Sequence, residues 1–232
     1  DYSMVDLIEG DDATWLDKTM IVQPLLVSVH MACVAFLKSL GLEPDVVIGH
    51  SLGEISAACT AGLISLDDAI MLTYKRGQWM QRFYQKGSMV LVAMGVHKLE
   101  EFIRDHSLDV VVAAMNSARW QVVSGLKQGI DRAIDVFKQQ KIVYKKFQNN
   151  YPFHGPWLAD GDGFDENTAV NTDSVIGFYS SYMGKKTSGI PCDRYWNKSA
   201  AHPVRFQSAV ESMVNDGVTH FVEISPSAVL GR

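Results

Sequence analysis

The 232-residue chain has no surplus of positive charge: 21 Lys and Arg stand against 26 Asp and Glu, a formal net charge of −5, and no basic run occurs. The attraction that gathers phosphates along a nucleic acid, or draws a protein onto an anionic membrane, is therefore missing, and neither is an expected partner. Cysteine is scarce. Cys33, Cys59 and Cys192 form an odd three without a CxxC pair, and the first two lie among small apolar residues, which suits reduced core thiols in a cytoplasmic protein. The opening residues, Asp1-Tyr2-Ser3, carry neither an initiator Met nor a leader segment, so the chain is expected to be cut from something longer. An apolar run fit for a bilayer is also lacking: Ile21 to Leu37 is interrupted by Gln23, Pro24, Ser28 and His30, reads as too short to span, and is expected to be a buried helix.

What is present is a large apolar share, 47%, enough for a full core in one domain or in a domain with a small insert. Helical spacing runs from Thr14 to Leu40 and stops at Gly41. Asp45-Val-Val-Ile-Gly49 reads as a strand, Glu54 to Ala61 as a helix and Leu66 to Tyr84 as another, with Asp67 and Asp68 at its positive end. From Met89 the pattern changes to strand (Met89 to Met94), helix (Lys98 to His106), strand (Asp109 to Met115), strand (Gln121 to Ser124), helix (Ile130 to Gln140) and strand (Val143 to Phe147). That βαββαβ order is ferredoxin-like, inserted between two parts of an α/β domain. The acidic stretch Asp160 to Asn167 lacks the glycine a calcium loop needs at its sixth place and is expected to be a solvated surface loop without a metal. Strand Val175 to Tyr179, helix Pro203 to Asn215 and strand His220 to Ile224 complete the reading.

Gly49-His50-Ser51-Leu52-Gly53 is a GxSxG string between the expected strand and helix, the context of a nucleophile elbow. The two glycines are expected to remove side chains that would collide in a tight turn. Ser51 then projects toward substrate, with the Leu52 N–H at the helix start placed to donate to an oxyanion. A serine hydroxyl needs a base. Of the seven histidines, His154 alone has a suggestive setting, in the rigid Tyr151-Pro152-Phe153-His154-Gly155-Pro156 turn beyond the insert.

Gly49-His50-Ser51-Leu52-Gly53-Glu54, Arg76-Gly-Gln-Trp-Met80, the Tyr-Pro-Phe-His run and the βαββαβ insert together resemble the acyltransferase domain of polyketide synthases, related to malonyl-CoA:acyl carrier protein transacylase. Thr19-Met-Ile-Val-Gln23-Pro24, Asn116-Ser117, Val123-Ser124-Gly125, Tyr195-Trp196, Pro203-Val-Arg-Phe206 and Val222-Glu-Ile-Ser-Pro226 extend the likeness over almost the whole chain. The implied fold class is α/β: an α/β-hydrolase-like core in residues 1–87 and 149–232, with the ferredoxin-like subdomain in residues 88–148.

The resemblance implies that Ser51 carries the acyl group, that His154 is general base and acid, and that Arg76 binds the free carboxylate of a malonyl-type group. Gln23, His50, Met80 and Asn116 fall on pocket positions, Phe153 fills the space of an α-methyl group, and the main chain of Ser199 orients the histidine. Acyl-CoA is the implied donor substrate, with no metal or redox cofactor, and an acyl carrier protein the acceptor, beside neighbouring synthase domains. The family's first strand and Gly-Gln-Gly turn, the source of a second oxyanion donor, have no match here and are expected to lie upstream. Tyr151-Pro-Phe153-His154 favours malonyl over methylmalonyl. Two other activities stay open, a proofreading acyl hydrolase on the same scaffold and a non-catalytic remnant that docks carrier protein.

Overall fold

The helical spacing from Thr14 to Leu40 is interrupted in the fold. In the computed structural model, which describes residues 3–159, 163–164, 171, 174–191, 194–228 and 230, a short helix α1 (Met4–Glu9) precedes a 3-10 turn at Thr14–Asp17, and the long helix α2 is Thr19–Ser39. The break comes from a contact distant in sequence. The Tyr151 hydroxyl donates to the Asp17 carbonyl at 2.6 Å and accepts from the Thr19 N–H at 3.3 Å, satisfying backbone groups that a continuous helix would pair internally. At 21 residues α2 is long and apolar enough to cross a membrane by length and composition alone, which corrects the expectation of a run too short to span. Only part of it is buried, including Gln23, Pro24, Leu25 and Val27, while Phe36 near its end is exposed. Cys33 and Cys59 are free thiols; Cys192 lies outside the described residues.

Strand β1 (Val46–Ile48) leads through the Ser51 turn into α3 (Gly53–Thr60), and α4 (Leu66–Gln81) follows. Ser65 caps α4 by accepting from the Asp68 N–H at 3.0 Å. α4 packs along α2, and Gly77 is the reason it can come so close: a Cβ there would lie 2.4 Å from the Met20 Cα.

The βαββαβ stretch is β2 (Gly87–Ala93), α5 (Val96–Asp105), β3 (Val111–Met115), β4 (Trp120–Leu126), α6 (Lys127–Gln139) and β5 (Tyr144–Lys146). Its strands lie in the order β3-β4-β2-β5, all antiparallel, the ferredoxin-like arrangement. The strand period of two assigns Val90 and Val92 to the face under the helices, with Leu99, Ile130 and Phe137, and Met89 and Leu91 to the opposite face, toward Val204 and Phe206. Ala114 and Val204 form a parallel bridge between this sheet and the rest of the chain.

The remaining elements are β6 (Gly177–Ser180), β7 (Lys185–Thr187), α7 (Tyr195–Ala201) and α8 (Phe206–Asn215). β6 pairs with β1 in parallel and with β7 antiparallel, giving a second, three-stranded sheet. α8 starts later than expected because Val204 is engaged with β3: the Met115 N–H donates to the Val204 carbonyl at 2.8 Å, and the Val204 N–H to the Ala113 carbonyl at 2.9 Å. The expected strand His220–Ile224 does not form. Among the described residues no strand runs beside it, Phe221 and Val222 are 51% and 73% exposed, and an unpaired strand has nothing to bond its backbone. In the acidic stretch, Phe164 is buried against Trp79, contrary to a wholly solvated loop; apart from it and Gly163, residues 160–167 lie outside the described set.

Candidate active site

Between the last residue of β1 and the first of α3 the chain reverses in four residues. Ser51 sits at the apex with φ 53°, a left-handed conformation that strains a non-glycine residue by about 1–3 kcal/mol and is typical of functional turns. Gly49 is what allows it. A Cβ at Gly49 would stand 2.0 Å from the Gly53 carbonyl carbon, whereas a Cβ at Gly53 meets nothing, so only the first glycine is sterically required and the expectation for the second is corrected. The N–H groups of Gly53, Glu54 and Ile55 donate to the carbonyls of His50, Ser51 and Leu52, each at 3.0 Å. The Leu52 N–H precedes these bonds at the N-cap of α3, where helix geometry leaves a donor without an intrahelical partner.

His154 reaches the elbow from the turn after the ferredoxin-like unit. It too is left-handed, with φ 56°, and is 5% exposed. Its Nε2 lies 2.6 Å from Ser51 Oγ, and its Nδ1 lies 3.0 Å from the His202 carbonyl. A carbonyl can only accept, so Nδ1 carries the proton and Nε2 is left free to accept from serine. The nearer carbonyl is that of His202; the expected Ser199 backbone also bonds the imidazole, more weakly, and the Ser199 hydroxyl turns back to the Trp196 carbonyl at 3.0 Å. Both residues stand at the C-terminal end of α7, where helix carbonyls are unpaired and the dipole is negative. Burial, then the Arg76 charge, push the imidazole down to about 3, so it is neutral at physiological pH. Tyr151 and Phe153 stack with ring centroids 5.0 Å apart, and the Trp157 indole N–H donates to the Pro152 carbonyl at 2.6 Å, fixing the turn from both sides.

Arg76 extends from α4 and is 6% exposed. Nη1 donates to Gln23 Oε1 at 2.6 Å and Nη2 to Ser51 Oγ at 3.2 Å. Gln23 is held in turn, its Nε2 donating to Thr19 Oγ1 at 2.7 Å and contacting the Met80 sulfur at 3.4 Å. Among the described residues no carboxylate lies within ion-pair distance of this guanidinium. Burial lowers its pKa to about 10, with the field of Glu54 opposing the shift, so it remains a cation near neutrality. A buried cation whose partners are an amide and a hydroxyl is a place for an anion.

The structure thus brings Ser51, His154, Arg76, Gln23 and Met80 together, with Leu52 at the elbow and Phe153 next to the histidine. His50 and Asn116 form a separate pair, His50 Nε2 to Asn116 Oδ1 at 2.8 Å, which links the elbow to the end of β3. His50 also packs against Phe206 at 5.2 Å between ring centroids. Sequence reasoning missed Thr19, the His202 carbonyl, Tyr195 and Glu54. Of these only Glu54 left a signal: a carboxylate in a run of small apolar residues, Ile55-Ser56-Ala57-Ala58, too apolar to face water on all sides. Among the described residues no cluster of three His, Cys, Asp or Glu side chains could hold a metal.

The acyl transferase domain family matches residues 1–232. A phenolphthiocerol synthesis polyketide synthase type I of Mycobacterium marinum is 33% identical over 231 residues, 97% of this chain and 11% of that protein. The chain therefore spans about a tenth of the length of that curated relative. A loading acyltransferase from the avermectin modular polyketide synthase superposes with a TM-score of 0.90 at 30% identity, covering 99% of this chain and 75% of the other. A malonyl CoA-acyl carrier protein transacylase from Clostridium perfringens gives 0.88 at 27% identity, over 99% and 76%.

Proposed function

Because the chain belongs to the acyl transferase domain family, a family shared by polyketide synthase acyltransferases and carrier-protein transacylases, we propose that it takes a carboxylated acyl group, malonyl by preference, from acyl-CoA onto Ser51 and passes it to the phosphopantetheine thiol of an acyl carrier protein. The observation that carries this reading is Arg76: buried, cationic, without a carboxylate partner among the described residues, and 3.2 Å from Ser51 Oγ. A planar guanidinium offers a carboxylate two parallel bonds, and the Gln23 amide holds it in place.

In the first half-reaction His154 Nε2 takes the hydroxyl proton as Ser51 Oγ attacks the thioester carbon. The Leu52 N–H donates to the oxyanion, the C–S bond breaks, and the CoA sulfur leaves with the proton from His154. The second half-reaction runs the same path backwards from the carrier thiol. That thiol gives its proton to His154, its sulfur attacks the acyl-serine carbonyl, and Ser51 leaves reprotonated. This chemistry calls on no metal or redox cofactor. Phe153 stacks on Tyr151 next to His154; if its ring fills the place of an α-methyl group, malonyl is favoured over a branched group by about 1–3 kcal/mol. The close Ser51–His154 contact supports a catalytic role over a docking remnant, and Arg76 supports transfer of a charged acyl group over hydrolysis of uncharged ones. The setting is cytoplasmic, beside other synthase domains.

The test is intact-mass measurement after mixing the chain with malonyl-, methylmalonyl- and acetyl-CoA. Wild type is expected to gain one malonyl mass, Ser51→Ala none. Arg76→Ala is expected to lose malonyl loading about 10- to 150-fold, the worth of a charge-assisted pair at 1.5–3 kcal/mol, with acetyl loading little changed. An acylated Ser51→Ala chain overturns the nucleophile; equal losses for both acyl groups overturn the carboxylate site.

A further inference from the structure

The proposed cycle leaves one buried charge without a task. Glu54 is 2% exposed, follows Ser51 by three residues, and its own N–H donates to the Ser51 carbonyl at 3.0 Å. A carboxylate in the first turn of a helix ordinarily faces water near the positive end of the dipole; this one turns into the protein. It accepts from the Tyr195 hydroxyl at Oε1, from the Ser181 hydroxyl at Oε2 at 2.9 Å, and from the Tyr182 backbone N–H. The Tyr195 hydroxyl is also bonded to Ser180 Oγ at 2.5 Å, and Ser180 Oγ accepts from the Met183 N–H at 2.8 Å. The Tyr195 hydroxyl thus lies between Glu54 and Ser180, and Ser180 is hydrogen-bonded to the Glu54 carboxyl as well. Four groups, the hydroxyls of Tyr195, Ser180 and Ser181 and the Tyr182 N–H, hold the carboxyl and offset part of the cost of burial, which still raises its pKa.

These bonds close a ring through the active site. From Ser51 the path runs along α3 to Glu54, across to Tyr195 at the first residue of α7, and down α7 to the His202 carbonyl at its end. It continues through His154 Nδ1 and returns from Nε2 to Ser51 Oγ. The elbow and the carbonyl that orients the imidazole belong to helices distant in sequence, and the Glu54–Tyr195 bond joins the near end of one to the near end of the other. The geometry points to Glu54 as a positioning residue for the Ser51–His154 pair: through Tyr195 it sets α7, and with it the carbonyl that aims the imidazole, relative to the elbow. This rests on Ser51 and His154 being nucleophile and base. Glu54 also provides the opposing field felt by Arg76, but its bonds run to α7 and the turn after β6 and leave Arg76 to Gln23 and Ser51.

Tyr195→Phe removes one hydroxyl and keeps the ring that packs edge-on against Trp196 at 5.1 Å. Three quantities are measured: the single-turnover acylation rate and KM with malonyl-CoA, the same with acetyl-CoA, and the NMR signal of the His154 Nδ1–H. The acylation rate is expected to fall roughly 10- to 100-fold for both thioesters, the scale of a misplaced catalytic group. KM stays unchanged, and the Nδ1–H signal weakens through faster exchange with water. Ser181→Ala, which removes the other hydroxyl donor, gives a smaller fall in the same direction and serves if the first variant does not fold. Unchanged rates with an unchanged Nδ1–H signal, or a loss confined to malonyl-CoA, overturn the positioning role. Acylation of wild type at a residue other than Ser51 instead overturns the underlying assignment of the nucleophile, which the attached mass located by peptide mapping distinguishes.

Discussion

The two sheets of this molecule sit in units that treat charge in opposite ways. The ferredoxin-like unit buries aliphatic residues and Phe137 beneath α5 and α6, and its buried polar side chains are the uncharged Ser88, Gln121 and Ser124. Its lysines and acids stay on the outside, where a few long ion pairs such as Lys146–Asp131 at 3.9 Å add little. The other unit buries Glu54, Arg76 and His154 together, along with Gln23, Thr19, Ser180 and Ser181. Taking ionisable groups from water costs stability unless each is bonded, and here each is bonded by a neighbour from a different element. One unit is built as a core and the other as a candidate site, and Asn116 reaches from the first to bond His50 of the elbow.

The largest test of this contrast is His154→Ala. In the site-bearing unit a single imidazole is expected to govern the chemistry, so the acylation rate in a rapid-quench assay should fall about 10²- to 10⁴-fold. A loss below tenfold would remove His154 from the mechanism and weaken the contrast at its centre. Phe137→Ala addresses the opposite unit. Deleting a fully buried ring from an apolar core is expected to cost about 3–5 kcal/mol in urea unfolding, while the acylation rate of the molecules that remain folded is unchanged. A Phe137→Ala protein that stays folded yet acylates far more slowly would show that the ferredoxin-like unit shares in the chemistry rather than supporting it.

The same division explains what the sequence made legible. The ferredoxin-like unit was readable because local rules decide it: alternation in β2, strong amphipathic spacing in α5 and α6, and short connections between neighbours. The elbow was readable because GxSxG between strand and helix is a local signal with a steric cause, which the structure locates at Gly49. Elsewhere distant residues decide. Nothing near Lys18 in sequence announces that Tyr151 will interrupt the helix there. α7 has seven residues, too few turns to show a period, so it was missed, and with it the His202 carbonyl behind His154. Glu54 stood inside the quoted motif without a role, because its partners Tyr195 and Ser181 are more than 120 residues away, at separations of 141 and 127. The expected strand at His220–Ile224 had the right composition, but pairing is a property of the sheet and not of the segment.

The smallest effect is the most direct measure of how the site-bearing unit holds its charge. His154 titrates at about 3 in the folded protein, while an unfolded histidine titrates near 6.5. Below pH 6.5 the unfolded chain therefore binds a proton that the folded chain refuses, and stability falls as the pH drops from 6.5 toward 3. Between pH 7 and pH 5 this one group accounts for about 2 kcal/mol of lost stability. His30 and His50, both lowered by burial, act in the same direction. Glu54, raised by burial, acts in the opposite one: its folded form holds a proton more tightly, and the stability it contributes declines as the pH rises through its folded pKa. All three remain in His154→Ala, so they cancel when the variant is subtracted from wild type. Urea unfolding at pH 7 and pH 5 is then expected to show wild type losing about 2 kcal/mol more than His154→Ala over that interval. Equal losses would mean that the imidazole takes its proton in the folded state as readily as in water, and that Arg76 and burial do not hold it neutral.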